Sequence, residues 1–347
     1  MRPVFLLPLR VGPAPPSAWL CQLSGALRAA ASVDPRGRVL LYLLGAASGP
    51  ASRSELSPEL VTLLSRAYDC IPPEAPRLDL VPLLAAADWE LQHAATLGHL
   101  TALLLPPADI SDGGAGVADT VRLICEARRD AGLPELPVCS TAELGALPAH
   151  HDATSAAEEC GGACGQPSAR RFTHERVAVG GTFDRLHAGH RLLLAVAALA
   201  CTRTCYVGVT GDKLLASKAN AHLLDSYEHR SVAAKEFLES VRPRLRVEMS
   251  ALLDPAAPPK AATMADITAL VISRETATGG AKLQQMRRDH GIEEALDLVL
   301  VDLVGAPSQA ADAPKLSSSA LRSMDATNGG GGGAGGGAAV VAARRPV

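Results

Sequence analysis

Two stretches of this chain alternate short runs of Val, Leu and Ile with segments of helical period, and that alternation constrains the fold more than any other feature. In the second stretch the strand-like runs are RVAVGG, TCYVGVT, LRVEMS, ALVISRE and LDLVLVDLV. Helical segments fit between them at His190–Ala200, Tyr227–Val241 and Gly280–His290, and another follows the last strand at Ser318–Met324. Strands without a polar face need cover on both sides, so a parallel sheet wound by helices is predicted. In such a sheet ligands collect outside the carboxyl ends of the strands.

The first stretch, Val4 to about Ala149, carries the same kind of signal more faintly. Its strands read VFLLPL, RVLLYLLG and LTALLLP, and its helices Ser17–Ala31, Ser57–Tyr68 and Val117–Ala131, the last followed by Gly132. Trp89, His93 and His99 are expected to pack rather than to catalyse, and no chemical constellation stands out there. The predicted organisation is α/β throughout: a smaller N-terminal α/β domain at 1–149, a linker at 150–172 and a Rossmann-like parallel-sheet domain at 173–325. A Gly-rich tail at 326–347 has nothing to bury and is expected to be disordered. Because the N-terminal domain lacks chemical residues, it is expected to be a structural or assembly module, and a chain starting near Phe172 is expected to retain activity if soluble.

Composition removes several function classes. A chain of 347 residues that is 48% hydrophobic has material for two cores. A net charge of -3 offers no polybasic face, so neither nucleic acid nor membrane is expected as a partner. The longest apolar run, Leu192 to Cys201, is too short to cross a bilayer. Most of the 8 cysteines sit singly in apolar segments, as Cys21, Cys125 and Cys201 do, which points to a reducing compartment. Cys160 and Cys164 lack a second pair, and His174 alone completes no zinc site, so no resident metal is expected. Residues 1–33 hold Arg2, Arg10, Arg28 and no acid, as a mitochondrial presequence would, but the prolines at 3, 8, 13, 15 and 16 break its helix. A first strand and an amphipathic helix fit better, with the cytoplasm as the expected location.

Chemistry concentrates in RVAVGGTFDRLHAGHRLLLAVAALA, Arg176 to Ala200. Gly180 and Gly181 follow the strand where a ligand would approach the backbone, and Thr182 adds a hydroxyl donor. Asp184 is expected to shape the loop. His187 and His190, three apart, would point one way at the start of a helix whose free N–H groups attract anions. Together these form a phosphate clamp. Ser317, Ser318 and Ser319 in KLSSSALR begin another helix, with Arg322 one turn in as a bidentate phosphate donor.

GGTFDRLHAGH resembles the signature of the HIGH-type nucleotidyltransferases, and KLSSSALR, Lys315 to Arg322, resembles their I-S-S-T-x-x-R element, with Ser319 in place of the usual threonine. Within that superfamily Arg176–Arg322 is most similar to eukaryotic-type phosphopantetheine adenylyltransferases, through VGVTGDKLLASK, LLDSYEHR, LVISRETATGGAKLQQMRRDHG and LVLVDLV. The N-terminal stretch is faintly similar to the extension that precedes this domain in CoA synthases and fungal monofunctional enzymes. No G-x-x-x-x-G-K-[ST] loop accompanies it, so a single activity is expected.

The resemblance implies transfer of AMP from ATP to 4'-phosphopantetheine, giving 3'-dephospho-CoA and pyrophosphate by in-line attack. His190 and His187 would stabilise charge on the α-phosphate, and Thr182 would hold a phosphate. Lys213 or Lys218 would meet the acceptor phosphate. Arg274, Arg287, Arg322, Ser317, Ser318 and Ser319 would carry the β- and γ-phosphates, Arg274 being equally suited to a surface ion pair, and Mg²⁺ would travel with ATP. YEHR, Tyr227–Arg230, is also similar to bacterial glycerol-phosphate cytidylyltransferases, so a CTP-dependent enzyme is the rival. Against it, Ala188 stands where those enzymes carry tryptophan, and RTEG is absent. A CoA-level sensor or scaffold on a decayed domain is disfavoured, because the motif positions keep their side-chain chemistry.

Overall fold

A computed structural model describes residues 2–10, 16–44, 56–105, 115–140, 173–218, 220–302 and 318–329. The expected linker, Cys160, Cys164, Ser317 and the tail beyond 329 lie outside the described residues.

The first half runs β1 (Val4–Arg10), α1 (Pro16–Val33), β2 (Arg38–Leu44), α2 (Pro58–Asp69), β3 (Asp79–Leu83), α3 (Leu91–Ala95), β4 (Ala102–Leu105), α4 (Ala115–Asp130) and β5 (Val138–Ser140). The second runs β6 (His174–Gly181), α5 (Ala188–Ala200), β7 (Cys201–Thr210), α6 (Asp212–Leu215), α7 (Tyr227–Val241) and β8 (Arg246–Leu252). It continues with α8 (Lys260–Thr263), β9 (Ala269–Ser273), α9 (Ala277–Asp289), β10 (Asp297–Val301) and α10 (Ser318–Gly329).

Each half folds one parallel sheet, ordered β3-β2-β1-β4-β5 and β10-β9-β6-β7-β8. Both orders place the half's first strand in the centre and its fourth beside it, so the topology is the same twice. In the second sheet Val179 pairs with Val207 on one side and Val271 on the other. The β6/β9 junction is therefore the switch point, and the loop after β6 opens there.

Two strands escaped the sequence reading, each for a local reason. β3 contains Pro82, which argues against a strand, but β3 is an edge and an edge tolerates a missing N–H. β5 has only 3 residues, too short to show a period. Pro8 lies in central β1, yet the β4 pairing ends at Leu6, so only the β2 side continues past it. Ser57 caps α2 by accepting from the Leu60 N–H at 3.2 Å, with Pro58 at the first helical position.

α5 explains how the halves join. Every residue from Arg191 to Ala200 is buried, so this helix has no solvent face. One side packs on β6 and β7, and the other meets α2 and β3 of the first half. A helix that is apolar all round must be covered all round. One continuous apolar core accordingly runs from Phe5 and Leu41 through Leu194 and Val207. Polar contacts cross the same boundary: Trp89 Nε1 donates to the Val241 carbonyl at 2.9 Å, and Arg242 donates to the Ala86 carbonyl. The first half, expected to be a structural or assembly module, thus packs directly against the helix that carries His190.

Candidate functional site

The loop between β6 and α5 crosses the carboxyl edge of the second sheet under unusual backbone constraint. Phe183 and Arg185 take φ of 51° and 45°, a region non-glycine residues occupy at a cost of about 1–3 kcal/mol each unless their surroundings dictate it. Those surroundings are visible. Phe183 is buried, and its ring meets His190 edge-on at 5.4 Å between centroids. A Cβ on Gly181 would sit 3.0 Å from the same ring, so this glycine makes room for Phe183. At Gly180 the nearest atom would be 3.6 Å away, an ordinary contact.

His187 occupies the N-cap position of α5, but its side chain makes no capping hydrogen bond there. Its ring stacks instead on His190, centroids 4.0 Å apart and planes 24° off parallel. Burial foremost, then the charges of His187, Arg191 and Lys218, holds the His190 pKa well below the usual histidine value. The ring is therefore neutral near pH 7. Its Nδ1 is buried without a hydrogen-bond partner among the described residues.

Lys213 and Lys218 are both exposed beyond β7, and their electrostatics separate them. Lys218 bears on His190, whereas Lys213 is not among the charges that shift it. Lys218 is thus the lysine whose charge reaches His190. The Thr182 hydroxyl has no hydrogen-bond partner among the described residues, while the Thr182 carbonyl accepts from Arg230 at 2.5 Å.

Asp184, fully buried, connects this loop to α10. Its Oδ2 accepts from Arg322 Nη1 at 2.6 Å, and its Oδ1 accepts from the Asp225 N–H at 3.2 Å and from Arg185 at 3.1 Å. Ser318 Oγ donates to the Asp184 carbonyl at 2.9 Å, and Arg322 Nη2 donates to Ser319 Oγ at 2.9 Å. Asp325, also on α10, pairs with Arg185 at 2.8 Å and with Arg77 of the first half. The two motifs separated by over a hundred residues are one construction.

Two arginines read as phosphate ligands have other tasks. Arg287 donates to the carbonyls of Ala261 at 2.7 Å, Met264 at 3.0 Å and Glu294 at 3.2 Å, all preceding β9 or β10. A helix that follows a parallel strand runs back toward the amino edge, and ten residues at about 1.5 Å each carry Arg287 away from the site. Its expected role at the triphosphate is corrected to a structural one. Arg322, buried, is committed to Asp184 and Ser319, so it braces the α10 start. Arg274 does lie at the carboxyl edge, directly after β9, and forms an exposed ion pair with Asp302, the second of its two expected roles.

Arg230 carried no assigned task in the sequence reading. Its buried guanidinium gathers the carbonyls of Thr182, Thr210 at 2.7 Å and Asp225 at 3.0 Å and the Asp212 carboxylate at 2.7 Å, tying the carboxyl ends of β6 and β7 to α7. Phe183 and Arg191 were also passed over. Their motif positions between Thr182 and Asp184, and directly after His190, were the available signals. Among the described residues no three His, Cys, Asp or Glu side chains gather as a bound metal needs.

A family model described as cytidylyltransferase-like matches residues 178–324, which run from β6 into α10. The phosphopantetheine adenylyltransferase of Thermococcus kodakarensis is 32% identical over 153 residues, covering 44% of this chain and 87% of that protein. This chain belongs to the phosphopantetheine adenylyltransferase family. The Saccharomyces cerevisiae phosphopantetheine adenylyltransferase is 32% identical over 147 residues, 42% of this chain and 47% of its own length. An uncharacterized protein of Schizosaccharomyces pombe is 33% identical over 162 residues, 45% of this chain and 50% of that protein. The chain thus spans about half the length of these two fungal relatives. No helix among the described residues is long and apolar enough to cross a membrane.

Proposed function

We propose that the second half binds ATP by its triphosphate and transfers AMP to 4'-phosphopantetheine, giving 3'-dephospho-CoA and pyrophosphate. The observation that carries this reading is the Asp184 junction, which ties the loop entering α5 to the start of α10. Two helix N-termini, the stacked imidazoles of His187 and His190 and the charge of Lys218 supply donors and positive potential where phosphate charge would develop. The acceptor phosphate oxygen attacks the α-phosphorus in line, the bond to the β-phosphate bridging oxygen breaks, and pyrophosphate leaves. Such a transfer requires positioning and charge stabilisation rather than a covalent intermediate.

His190 would donate to the α-phosphate from Nε2, held upright by Phe183 and His187. Lys218 would meet the acceptor phosphate, and Thr182 and the first turn of α10 the remaining oxygens. Mg²⁺ would enter with ATP, bound by phosphates and water, because the donors here are cationic or neutral. The relatives named as phosphopantetheine adenylyltransferases favour ATP over CTP as the donor.

Pyrophosphate release from the full chain with 4'-phosphopantetheine, in parallel with ATP and CTP, tests the reading. Turnover with ATP is expected; turnover with CTP alone would replace it with a cytidylyltransferase, and turnover with neither would favour a binding role. In the active protein His190→Ala is expected to lower kcat by about 10²–10³, or ~2.7–4 kcal/mol, as loss of one transition-state donor does. An unchanged kcat would remove His190 from the chemistry.

A further inference from the structure

The first half reaches the histidine pair through one largely buried carboxylate. Asp79 opens β3, and its Oδ1 lies 2.7 Å from Arg191 Nε while its Oδ2 lies 2.7 Å from Arg38 Nε. Arg191 directly follows His190, and its Nη1 also donates to the carbonyl of Leu186, the residue before His187. A single guanidinium therefore ties the carbonyl entering the histidine segment, the first turn of α5 and the N-terminal sheet. The pair is not needed merely to fill space, since an apolar residue would cover α5 at least as well. What the carboxylate adds is a fixed position for Arg191 and cancellation of a full positive charge beside a neutral imidazole.

We propose that Asp79, from the N-terminal half, is a positioning residue for His190, acting through Arg191. This inference rests on the reading of His190 as the group that faces the nucleotide. The charged and titratable groups that bear on His190 are His187 at the helix start, Arg191 on its own helix and Lys218 from the segment after α6, with the Phe183 ring on another side. Asp79 acts on this set by neutralising Arg191. Its own carboxyl is held below the usual range by Arg191 and Arg38 despite its burial, so it is charged whenever the protein is folded near neutrality.

The test compares full-chain Asp79→Asn, Asp79→Glu and Arg38→Gln with the wild type, reading the His190 imidazole titration by NMR and kcat and KM for ATP by pyrophosphate release. Asp79→Asn keeps volume and an acceptor but exposes His190 to uncompensated Arg191. Its His190 titration is expected to move to lower pH, and kcat to fall about 10- to 100-fold with little change in KM, as displacement of a reacting group produces. Asp79→Glu, which keeps the charge, is expected to restore most of both. Arg38→Gln perturbs the same buried network with the opposite change of charge and is expected to leave kcat intact, with no downward move of the titration.

Asp79→Asn with wild-type kcat and titration would overturn the proposal, as would Arg38→Gln reproducing the Asp79→Asn effects, since either result makes Asp79 purely structural. Should Asp79→Asn fail to fold, Arg191→Gln decides the matter: a titration moved up with lowered kcat is expected, and an unmoved titration overturns it. If the wild type releases no pyrophosphate, the functional reading fails while the NMR titration still judges the link from Asp79 to His190.

Discussion

Replacing Asp184 by Ala costs about 3–5 kcal/mol of stability, the penalty for leaving a buried charge without its partner. Asp184 has no solvent exposure and Arg322 is 1% exposed, so water cannot replace the carboxylate that the guanidinium loses. The same substitution removes the acceptor of the Asp225 N–H and one partner of Arg185, releasing the loop from its left-handed turns. Urea unfolding of Asp184→Ala, Arg322→Ala and the double variant checks this. The double variant is expected to be far less destabilised than the sum of the singles, because the two losses are one interaction. Additive effects would show that Asp184 and Arg322 act separately. Activity should fall with stability, since the α10 start loses its seat on the loop.

A chain beginning at Phe172 is expected not to yield a cooperatively folded second half. Truncation would strip α2 and β3 from α5, leaving a helix with no polar residue between Leu192 and Ala200 facing water. Each large side chain so uncovered costs about 1.5–3 kcal/mol, and a few of them equal the ~5–15 kcal/mol that keeps a domain folded. The truncation also leaves Arg191 without Asp79 and the Val241 carbonyl without Trp89. Expression of 172–347 followed by near-ultraviolet circular dichroism and thermal melting reads this directly. A soluble monomer melting cooperatively close to the full chain would contradict it.

Much of the second half was legible because its elements are long and their periods clean. The helix at Tyr227–Val241 has the predicted bounds, and all five strands fall where Val, Leu and Ile cluster. The role of α5 was legible too, though unread: a run such as RLLLAVAALA without a polar stripe declares cover on every side. Other features had no local signature. Nothing in the neighbourhood of Asp184 indicates that it meets Arg322, because that pairing depends on where the chain returns after four more strands and the helices between them. The left-handed turns at Phe183 and Arg185 run against residue preference and exist only through tertiary packing. Arg287 misled for a geometric reason, since reading a motif along the chain ignores that a helix leaves the site it starts from. The histidines were the reverse case, as spacing and helix start together determine which way their rings face.

At the centre of the account is one cleft in which the α5 histidines and the α10 start share a triphosphate. The structure of the full chain in complex with Mg²⁺ and a non-hydrolysable ATP analogue tests it most directly. Phosphate oxygens within hydrogen-bond distance of both the His190 imidazole and the first-turn amides of α10 are the predicted result. A nucleotide bound with its phosphates away from His190, or touching only one of the two helix starts, would contradict it.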